Sequence, residues 1–240
     1  MKKFLMFQHM EWEGPGKFLL RCLDKHGISH DIVRIWEQPV PDNFSEYSAL
    51  IVLGGGPNVD QEEMYPFLVQ EKTVIRKALD LDMPYLGFCL GHQLLAHVLG
   101  AEVGPNFCTS IGYTQGHLTH DGREHPVFQN LPVEFPLFKW HGQSVKTPVR
   151  KNISILITSE ECQVEAISVP GRPHIIGLQF DNHSASRKDI ALWLEKDRQW
   201  IFSAPDREVN PTMILSMAKL LEKNMEQDFD ILFNNFIRLL

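Results

Sequence analysis

The cysteine at position 89 stands where a strand-like run turns into a helix-like run. The local sequence is Gly87-Phe88-Cys89-Leu90-Gly91, so a glycine lies two residues to either side of the thiol. Glycines at these places allow a tight backbone turn that holds the side chain above the end of a sheet. The free N–H groups of the following helix favour the thiolate over the thiol. The spacing therefore predicts a cysteine nucleophile.

A second glycine cluster, Gly54-Gly55-Gly56-Pro57, also follows a strand-like run. It lacks the lysine and the spacing of a phosphate-binding loop, and its plainest interpretation is a turn. In open α/β sheets, however, functional sites lie at the carboxyl ends of the strands, where this turn is expected to face Cys89. Its backbone N–H groups, together with that of Leu90, would then bind the oxyanion formed at an attacked carbonyl.

The elements that position these residues alternate between strands and helices along the first hundred residues. Hydrophobic periodicity predicts strands over residues 3–8, 31–36, 49–53 and 83–88, and helices over 15–26, 61–82 and 93–99. Such alternation implies right-handed crossovers and a parallel sheet that is covered on both faces.

The second half of the chain has a different pattern of predicted secondary structure. Short β-rich runs typical of antiparallel strands occupy residues 111–119, 136–140, 154–159, 164–169 and 174–180. One helix is expected after Ser184 or Ser186, and another has Asn210 as its N-cap and a long apolar stripe typical of a helix that covers a core. We predict an α/β fold with a flavodoxin-like doubly wound mixed sheet, as a single domain over 1–240 with a C-terminal helical extension from about 205 to 240.

Composition narrows the functional class. The chain has 240 residues and a formal net charge of −7, without a Lys/Arg cluster, which disfavours a nucleic-acid partner. No apolar run has the length of a membrane span or an export signal. The four cysteines are scattered without CxxC spacing, which favours a reducing, cytoplasmic compartment. The eleven histidines lack metal-ligand spacing, so we expect no metal and no cofactor.

Three motifs resemble those of one enzyme family, the class I (triad) glutamine amidotransferases. Residues 87–93 (GFCLGHQ) resemble its nucleophile motif, residues 55–57 (GGP) its oxyanion loop, and residues 177–180 (GLQF) the strand that leads to the rest of the triad. The order of the motifs matches, and the likeness spans about residues 3–200. His9 with residues 13–16 (EGPG) is similar to the stand-alone, GMP-synthase-glutaminase-like branch.

The resemblance implies the class I amidotransferase fold and hydrolysis of a glutamine or γ-glutamyl amide. The Cys89 thiolate would attack the amide carbon, ammonia would leave, and water would resolve the thioester. The resemblance assigns the oxyanion to the N–H groups of Gly56 and Leu90. It also implies that the small-molecule amide is held by Gln93, Gly55, His141 and Gly142. Two alternatives follow. The ammonia would pass to a separate ammonia-accepting synthase, or the protein would act alone on a small amide.

The sequence departs from the family pattern at the expected triad. The family strand normally ends Gln-Phe-His-Pro-Glu, whereas residues 179–183 read Gln-Phe-Asp-Asn-His. Asp181 therefore stands at the position of the catalytic histidine, and His183 at the position of the acid that orients it. A second departure lies at Gln143, where the stand-alone branch tends to have an acid expected near the α-amino group of the substrate.

Three interpretations of the altered triad remain open. In the first, His183 acts as the base and Asp181 orients it, since residues two apart in an extended segment point to the same side. In the second, the Asp181 carboxylate raises the pKa of the Cys89 thiol and suppresses the nucleophile. The protein would then be a catalytically impaired relative that acts as a small-molecule binding or regulatory module. In the third, His141 supplies the base.

Overall fold

The structure is a computed structural model that describes residues 3–41, 43–204 and 209–240. Within these ranges nine strands form one mixed sheet in the order β2-β1-β3-β4-β9-β8-β7-β5-β6. The strands are β1 Lys3–Gln8, β2 His30–Arg34, β3 Tyr47–Val52, β4 Tyr85–Phe88, β5 Val103–Leu118, β6 Glu134–Val145, β7 Ser154–Ser159, β8 Ala166–Val169 and β9 Arg172–Leu178.

The half of the sheet that carries the predicted site is parallel. Strands β2, β1, β3, β4 and β9 pair in parallel, and their order is that of a flavodoxin-like sheet. The four central residues of strand β1 are all apolar because they face both sides of the sheet: Phe4 and Met6 enter one apolar cluster, and Leu5 and Phe7 enter the other. A parallel sheet covered on both faces requires such a run. The predicted doubly wound α/β fold is thus confirmed.

The other half of the sheet is antiparallel, and two of its strands are longer than the sequence predicted. Strands β8, β7, β5 and β6 extend the sheet beyond β9. Strands β5 and β6 reach well past the predicted runs 111–119 and 136–140, and their pairing is interrupted between Pro105 and Ser110. Proline has no N–H to donate to a ladder, which accounts for an interruption that begins there.

Seven α-helices flank the sheet in the described residues. They are α1 Gly16–Lys25, α2 Phe67–Asp80, α3 Leu90–Val98, α4 His120–Glu124, α5 Arg187–Lys196, α6 Arg198–Ser203 and α7 Pro211–Ile237. Helix α2 begins six residues later than the predicted 61–82, because Pro66 caps it and disfavours helical backbone in the residue before it. Met64, an apolar residue within the predicted range but before the helix, is exposed. Helices α4 and α6 were not predicted.

The C-terminal helix α7 packs along the core, as its apolar spacing predicts. The Asn210 side chain accepts a hydrogen bond from Met213 N at 3.1 Å and caps the helix. Phe229 and Phe233 are buried, and the Phe233 ring lies 6.5 Å from that of Phe4 in β1. Residues 205–208 of the predicted extension, like residues 1, 2 and 42, lie outside the described residues. No described helix has the length and apolar character that crossing a membrane requires.

If α7 stabilises the fold by covering the core, two substitutions on this helix will differ sharply. Phe233 is fully buried, whereas the Leu220 side chain is 71% exposed. We expect Phe233→Ala to lower the free energy of unfolding by about 3–5 kcal/mol, through lost burial and a cavity. We expect Leu220→Ala to change it by less than about 0.5 kcal/mol. Urea unfolding followed by circular dichroism measures both, and similar losses in the two variants would contradict a core-covering role.

Candidate functional site

The predicted site residues meet at the carboxyl edge of the parallel strands. The segments that follow β1, β3 and β4, together with strand β6 and the α5–α6 region, surround one cavity of about 390 Å³. Its lining residues are Met10, Glu13, Gly55, Gly56, Pro57, Asn58, Cys89, Gln93, Trp140, His141, Gly142, Gln143, Asp197 and Trp200. This edge is where open α/β sheets bind ligands.

The Cys89 turn has the strained geometry that its flanking glycines predict. The residue has φ 45° and ψ −103°, a backbone conformation that residues other than glycine rarely adopt. A Cβ added at Gly91 would collide with Val52 O, and one added at Gly87 would lie 2.6 Å from Gly91 C. The thiol therefore stands at the floor of the cavity, next to the first N–H of α3, from Leu90.

The glycine turn after β3 faces Cys89 because His9 supports it from behind. His9 Nδ1 lies 3.0 Å from Gly54 O, and His9 Nε2 lies 2.9 Å from Glu71 Oε1. A carbonyl oxygen only accepts, so the Nδ1 carries a proton. A Cβ at Gly55 would collide with the His9 side chain, which explains why a glycine follows Gly54. Gly55 and Gly56 line the cavity with Cys89. The oxyanion role of Gly56 and the substrate-binding role of Gly55 stay predictions.

The Asp181 carboxyl lies beside Cys89, at the place where the family carries its histidine. A Cβ built on Gly54 would lie 3.4 Å from Asp181 Oδ1, 3.4 Å from Cys89 Cβ and 3.2 Å from Glu13 Oε2. The thiol and two carboxyl groups thus surround a single point. Asp181 is buried, and its Oδ1 has no hydrogen-bond partner among the described residues.

These neighbours oppose ionisation of the thiol. Burial raises the pKa of Cys89 well above its usual range, and the Asp181 and Glu13 carboxyls raise it further. The Lys139 ammonium and the Leu90 N–H act in the opposite direction but do not outweigh burial. Burial likewise raises the pKa of Asp181 well above its usual range. The site therefore favours a protonated thiol, contrary to the effect of the helix N-terminus alone.

His183 and Asp181 approach each other, but not through an extended segment. The backbone there forms a short 3-10 turn over Asn182–Ser184, so the premise of an extended strand was wrong. The His183 ring stacks on Phe88 at 4.1 Å, and its Nδ1 lies 4.0 Å from Asp181 Oδ1. Burial lowers the pKa of His183 to about 3.

His141 lies within strand β6, and its imidazole is engaged inside the sheet. His141 Nδ1 lies 2.8 Å from Gln143 O. Its ring, Cys162 and Glu165 form a set of potential metal ligands, with ligand atoms all within 4.8 Å of one another. The Lys139 ammonium pairs with Glu165, so the set already has a cation beside it. Burial lowers the pKa of His141 well below its usual range.

Within the described part of the chain, no imidazole contacts the thiol. The hydrogen-bond contact that Cys89 Sγ makes there is with Trp140 O, at 4.0 Å. Gln93, expected to hold substrate, donates from Nε2 to Gln143 O and to Gln179 Oε1, each at 3.1 Å. Gln93 therefore fixes the wall of the cavity. Gly142 leaves the cavity open, since a Cβ added there would meet no described atom within 4 Å.

Three cavity residues were missed as site residues by sequence reasoning. Asp197 joins α5 to α6 and accepts hydrogen bonds from Trp12 Nε1 and Trp140 Nε1, both at 2.9 Å. The Trp200 ring lies 6.2 Å from that of Trp140. No local pattern marks either residue, because packing alone brings α6 to the cavity. Glu13 had a signal, since it follows β1 in the segment that supplied the family resemblance.

Comparisons with known proteins agree with this geometry. The family model described as "Glutamine amidotransferase class-I" matches residues 16–188. A glutamine-hydrolyzing GMP synthase subunit from Methanocaldococcus jannaschii is 36% identical over 130 residues, which are 54% of this chain and 62% of that protein. The chain thus matches less than two thirds of the length of this relative.

Solved structures extend the likeness to nearly the whole chain. A glutamine amidotransferase from Thermotoga maritima superposes with a TM-score of 0.86 at 26% identity and covers 98% of each chain. A second, from Methylobacillus flagellatus, has a TM-score of 0.86 at 22% identity, covers 100% of this chain and 96% of its own, and shows the fold alone. The resemblance noted from the motifs is confirmed, and the chain belongs to the class-I glutamine amidotransferase family.

Proposed function

We propose that the Cys89 cavity binds a small primary carboxamide similar to glutamine, and that the chain is impaired in hydrolysing it. The lack of any imidazole contact to Cys89 Sγ in the described residues carries this proposal. A protonated thiol cannot attack an amide unless a base removes its proton. The acidic groups that act on this thiol are instead the carboxyls of Asp181 and Glu13, which raise its pKa beyond the effect of burial.

Binding is supported by features that do not depend on the base. The strained turn keeps Cys89 at the floor of the cavity, and Gly55 and Gly56 line the opposite wall. The N–H groups of Gly56 and Leu90 would bind the carbonyl oxygen of a carboxamide as readily as an oxyanion in the same place. The family membership and the name of the Methanocaldococcus relative point to glutamine as the parent ligand.

One observation favours a second candidate, hydrolysis through a Cys89 thioester with His183 as base. His183 Nδ1 and Asp181 Oδ1 have no hydrogen-bond partners among the described residues and lie 4.0 Å apart, a distance that a small movement would close. Reaching Cys89 would nevertheless require His183 to leave Phe88. The segment is held in place, because Asn182 bonds to Phe138 N at 2.8 Å and to Pro136 O at 3.0 Å.

The proposal also bears on partners and location. A chain that releases ammonia slowly has little to deliver to a separate synthase, so we propose a sensing or regulatory role in preference to supply of an ammonia acceptor. The buried free cysteines Cys22, Cys89 and Cys162 are compatible with a reducing, cytoplasmic environment.

The state of the thiol can be tested directly by its alkylation rate. We expect iodoacetamide to modify Cys89 with a pH midpoint above the usual thiol pKa of about 8.5, because burial, and after it the Asp181 and Glu13 carboxyls, disfavour the thiolate. Asp181→Asn removes a carboxyl that raises the thiol pKa and moves that midpoint downward, so the rate at about pH 9 rises by about threefold or more. Asp121→Asn removes an exposed charge in α4 and serves as the matched control. Peptide mass spectrometry separates Cys89 from the other three cysteines, and an unchanged midpoint in Asp181→Asn contradicts the assignment.

The impaired hydrolysis can be tested by restoring the family pattern. We expect the double variant Asp181→His/His183→Glu to release ammonia from glutamine about 100-fold faster than the wild type, since a positioned base contributes about that much. The gain should vanish when Cys89→Ala is added. Glutamate and ammonia are assayed together over a range of glutamine concentrations.

Two results would overturn the proposal, one for its impaired hydrolysis and one for its binding site. Wild-type turnover that is lost in both Cys89→Ala and His183→Ala, but kept in His141→Ala, would establish the His183 mechanism instead. Because His183→Ala removes a ring stacked on Phe88, His183→Gln and a thermal unfolding measurement accompany it. Failure of glutamine and of simple amides to bind at all would refute the carboxamide site.

A further inference from the structure

Two cysteines outside the Cys89 cavity lie where strand β5 is interrupted. Residues 106–109 stand across from the single residue Gly142 of β6 and form a bulge, the β5 bulge, which contains Cys108. Residues 160–165 join β7 to β8 and form the β7–β8 turn, which contains Cys162. Because Gly142 lines the cavity, the β5 bulge belongs to the rim of the cavity.

The β5 bulge and the β7–β8 turn are joined at Glu161, the residue before Cys162. Asn106 Nδ2 donates to Glu161 O at 2.7 Å, and the Ser110 hydroxyl, just beyond the bulge, donates to the Glu161 carboxylate. Cys108 Sγ lies 3.8 Å from the same Glu161 O. That oxygen belongs to the peptide bond that precedes Cys162, so the Cys108 sulfur lies within about 6 Å of Cys162 N.

The two thiols differ in their access to solvent. Cys108 is partly exposed, whereas Cys162 is fully buried. Burial raises the pKa of Cys162 to about 12, and the Glu165 carboxyl adds to this effect while the Lys139 ammonium opposes it. An oxidant in solution therefore reaches Cys108 first. An accessible thiol with a second thiol beside it is the arrangement of many redox-sensitive cysteines.

We infer that Cys108 and Cys162 are the site of a reversible disulfide, formed by exchange with a small-molecule disulfide such as glutathione disulfide. The bond fixes the β5 bulge on the β7–β8 turn. This inference does not depend on the proposed function, since it uses neither the thiol of Cys89 nor the carboxyl groups around it.

The exchange proceeds in two balanced steps. The Cys108 thiolate attacks one sulfur of the small disulfide, so a mixed disulfide forms at Cys108 and one small thiolate leaves. The Cys162 thiolate then attacks the Cys108 sulfur, so the bond between the two residues forms and the second small thiolate leaves. The two small thiolates take up the two protons lost by the protein thiols, and two electrons pass from the protein to the small disulfide.

The bond requires movement of the β5 bulge and of one side chain. A disulfide joins Cα atoms about 4.4–6.8 Å apart. The β5 bulge can move toward Cys162 because its residues lie outside the pairing of β5 with β6. Cys162 Sγ contacts Val164 O at 3.5 Å, a weak thiol hydrogen bond that rotation of the Cys162 side chain would break.

Mass spectrometry tests which cysteine pairs with Cys108. Reduced protein is incubated with glutathione disulfide, the remaining thiols are blocked with N-ethylmaleimide, and the protein is digested without reduction. We expect a peptide pair joined through Cys108 and Cys162 in the folded protein, which dithiothreitol separates. In urea-unfolded protein we expect Cys89 to be the preferred partner of Cys108, because it is nearer in sequence and closes a shorter loop.

The variants and the alternative outcomes decide the assignment. Cys108→Ser should leave Cys162 as a thiol, whereas Cys22→Ser, a matched change of a buried cysteine in α1, should leave the cross-link unchanged. Thermal unfolding of the reduced variants checks that both remain folded. A cross-link from Cys108 to Cys89 in the folded protein would overturn the inference, and so would a mixed disulfide that persists at Cys108 without any cross-link.

Hydrogen exchange tests whether the bond fixes the β5 bulge. We expect amide exchange in residues 106–109 to slow by about tenfold or more in the cross-linked protein, because opening of the bulge would then require movement of the β7–β8 turn as well. Cys108→Ser treated with the same oxidant should show no such change. Equal exchange in the reduced and the cross-linked wild type would overturn the claim that the bond fixes the bulge.

Discussion

The close approach of Gly91 to Val52 is the constraint on which the site depends. It draws the start of α3 against the end of β3, and only a residue without a side chain permits the contact. The turn that results forces Cys89 to φ 45°, a strain of about 1–3 kcal/mol that the packing of β3, β4 and β9 must offset. The contact is made by backbone atoms and involves neither Asp181 nor His183.

The residue at position 181 decides whether the group beside the sulfur favours or disfavours the thiolate. An imidazole can take a proton from the thiol and then stabilise the thiolate as a cation. The Asp181 carboxyl, buried at the same edge, raises the thiol pKa instead, and Glu13 adds to that effect. The Lys139 ammonium does not offset the two carboxyls, because it is paired with Glu165 behind the wall. The chain therefore keeps the strained turn that exposes Cys89 to the cavity, but the surroundings of the thiol disfavour the thiolate.

The sequence predicted elements that local periodicity defines and missed contacts that distant packing creates. Residues 3–8 and 154–159 are strands with the predicted bounds, and the glycines around Cys89 predicted its turn. The 3-10 turn that carries His183 was not predictable, because it is tied to the distant strand β6: the Asn182 amide oxygen accepts from Phe138 N, and the amide nitrogen donates to Pro136 O. Asp197 was missed for the same reason, since only the packing of α5 and α6 brings it to the cavity.

The aspartate at position 181 bears on the thiol of Cys89. In the proposed interpretation, Asp181 stands where the family resemblance places a histidine, and Glu13 and Asp197 line the same cavity. Burial raises the pKa of Cys89, and the Asp181 and Glu13 carboxyls raise it further. Amide hydrolysis by a thiol requires a base that removes its proton. The burial and the carboxyl groups that disfavour the thiolate thus oppose turnover but leave the cavity able to bind a neutral amide, which agrees with the proposed binding role.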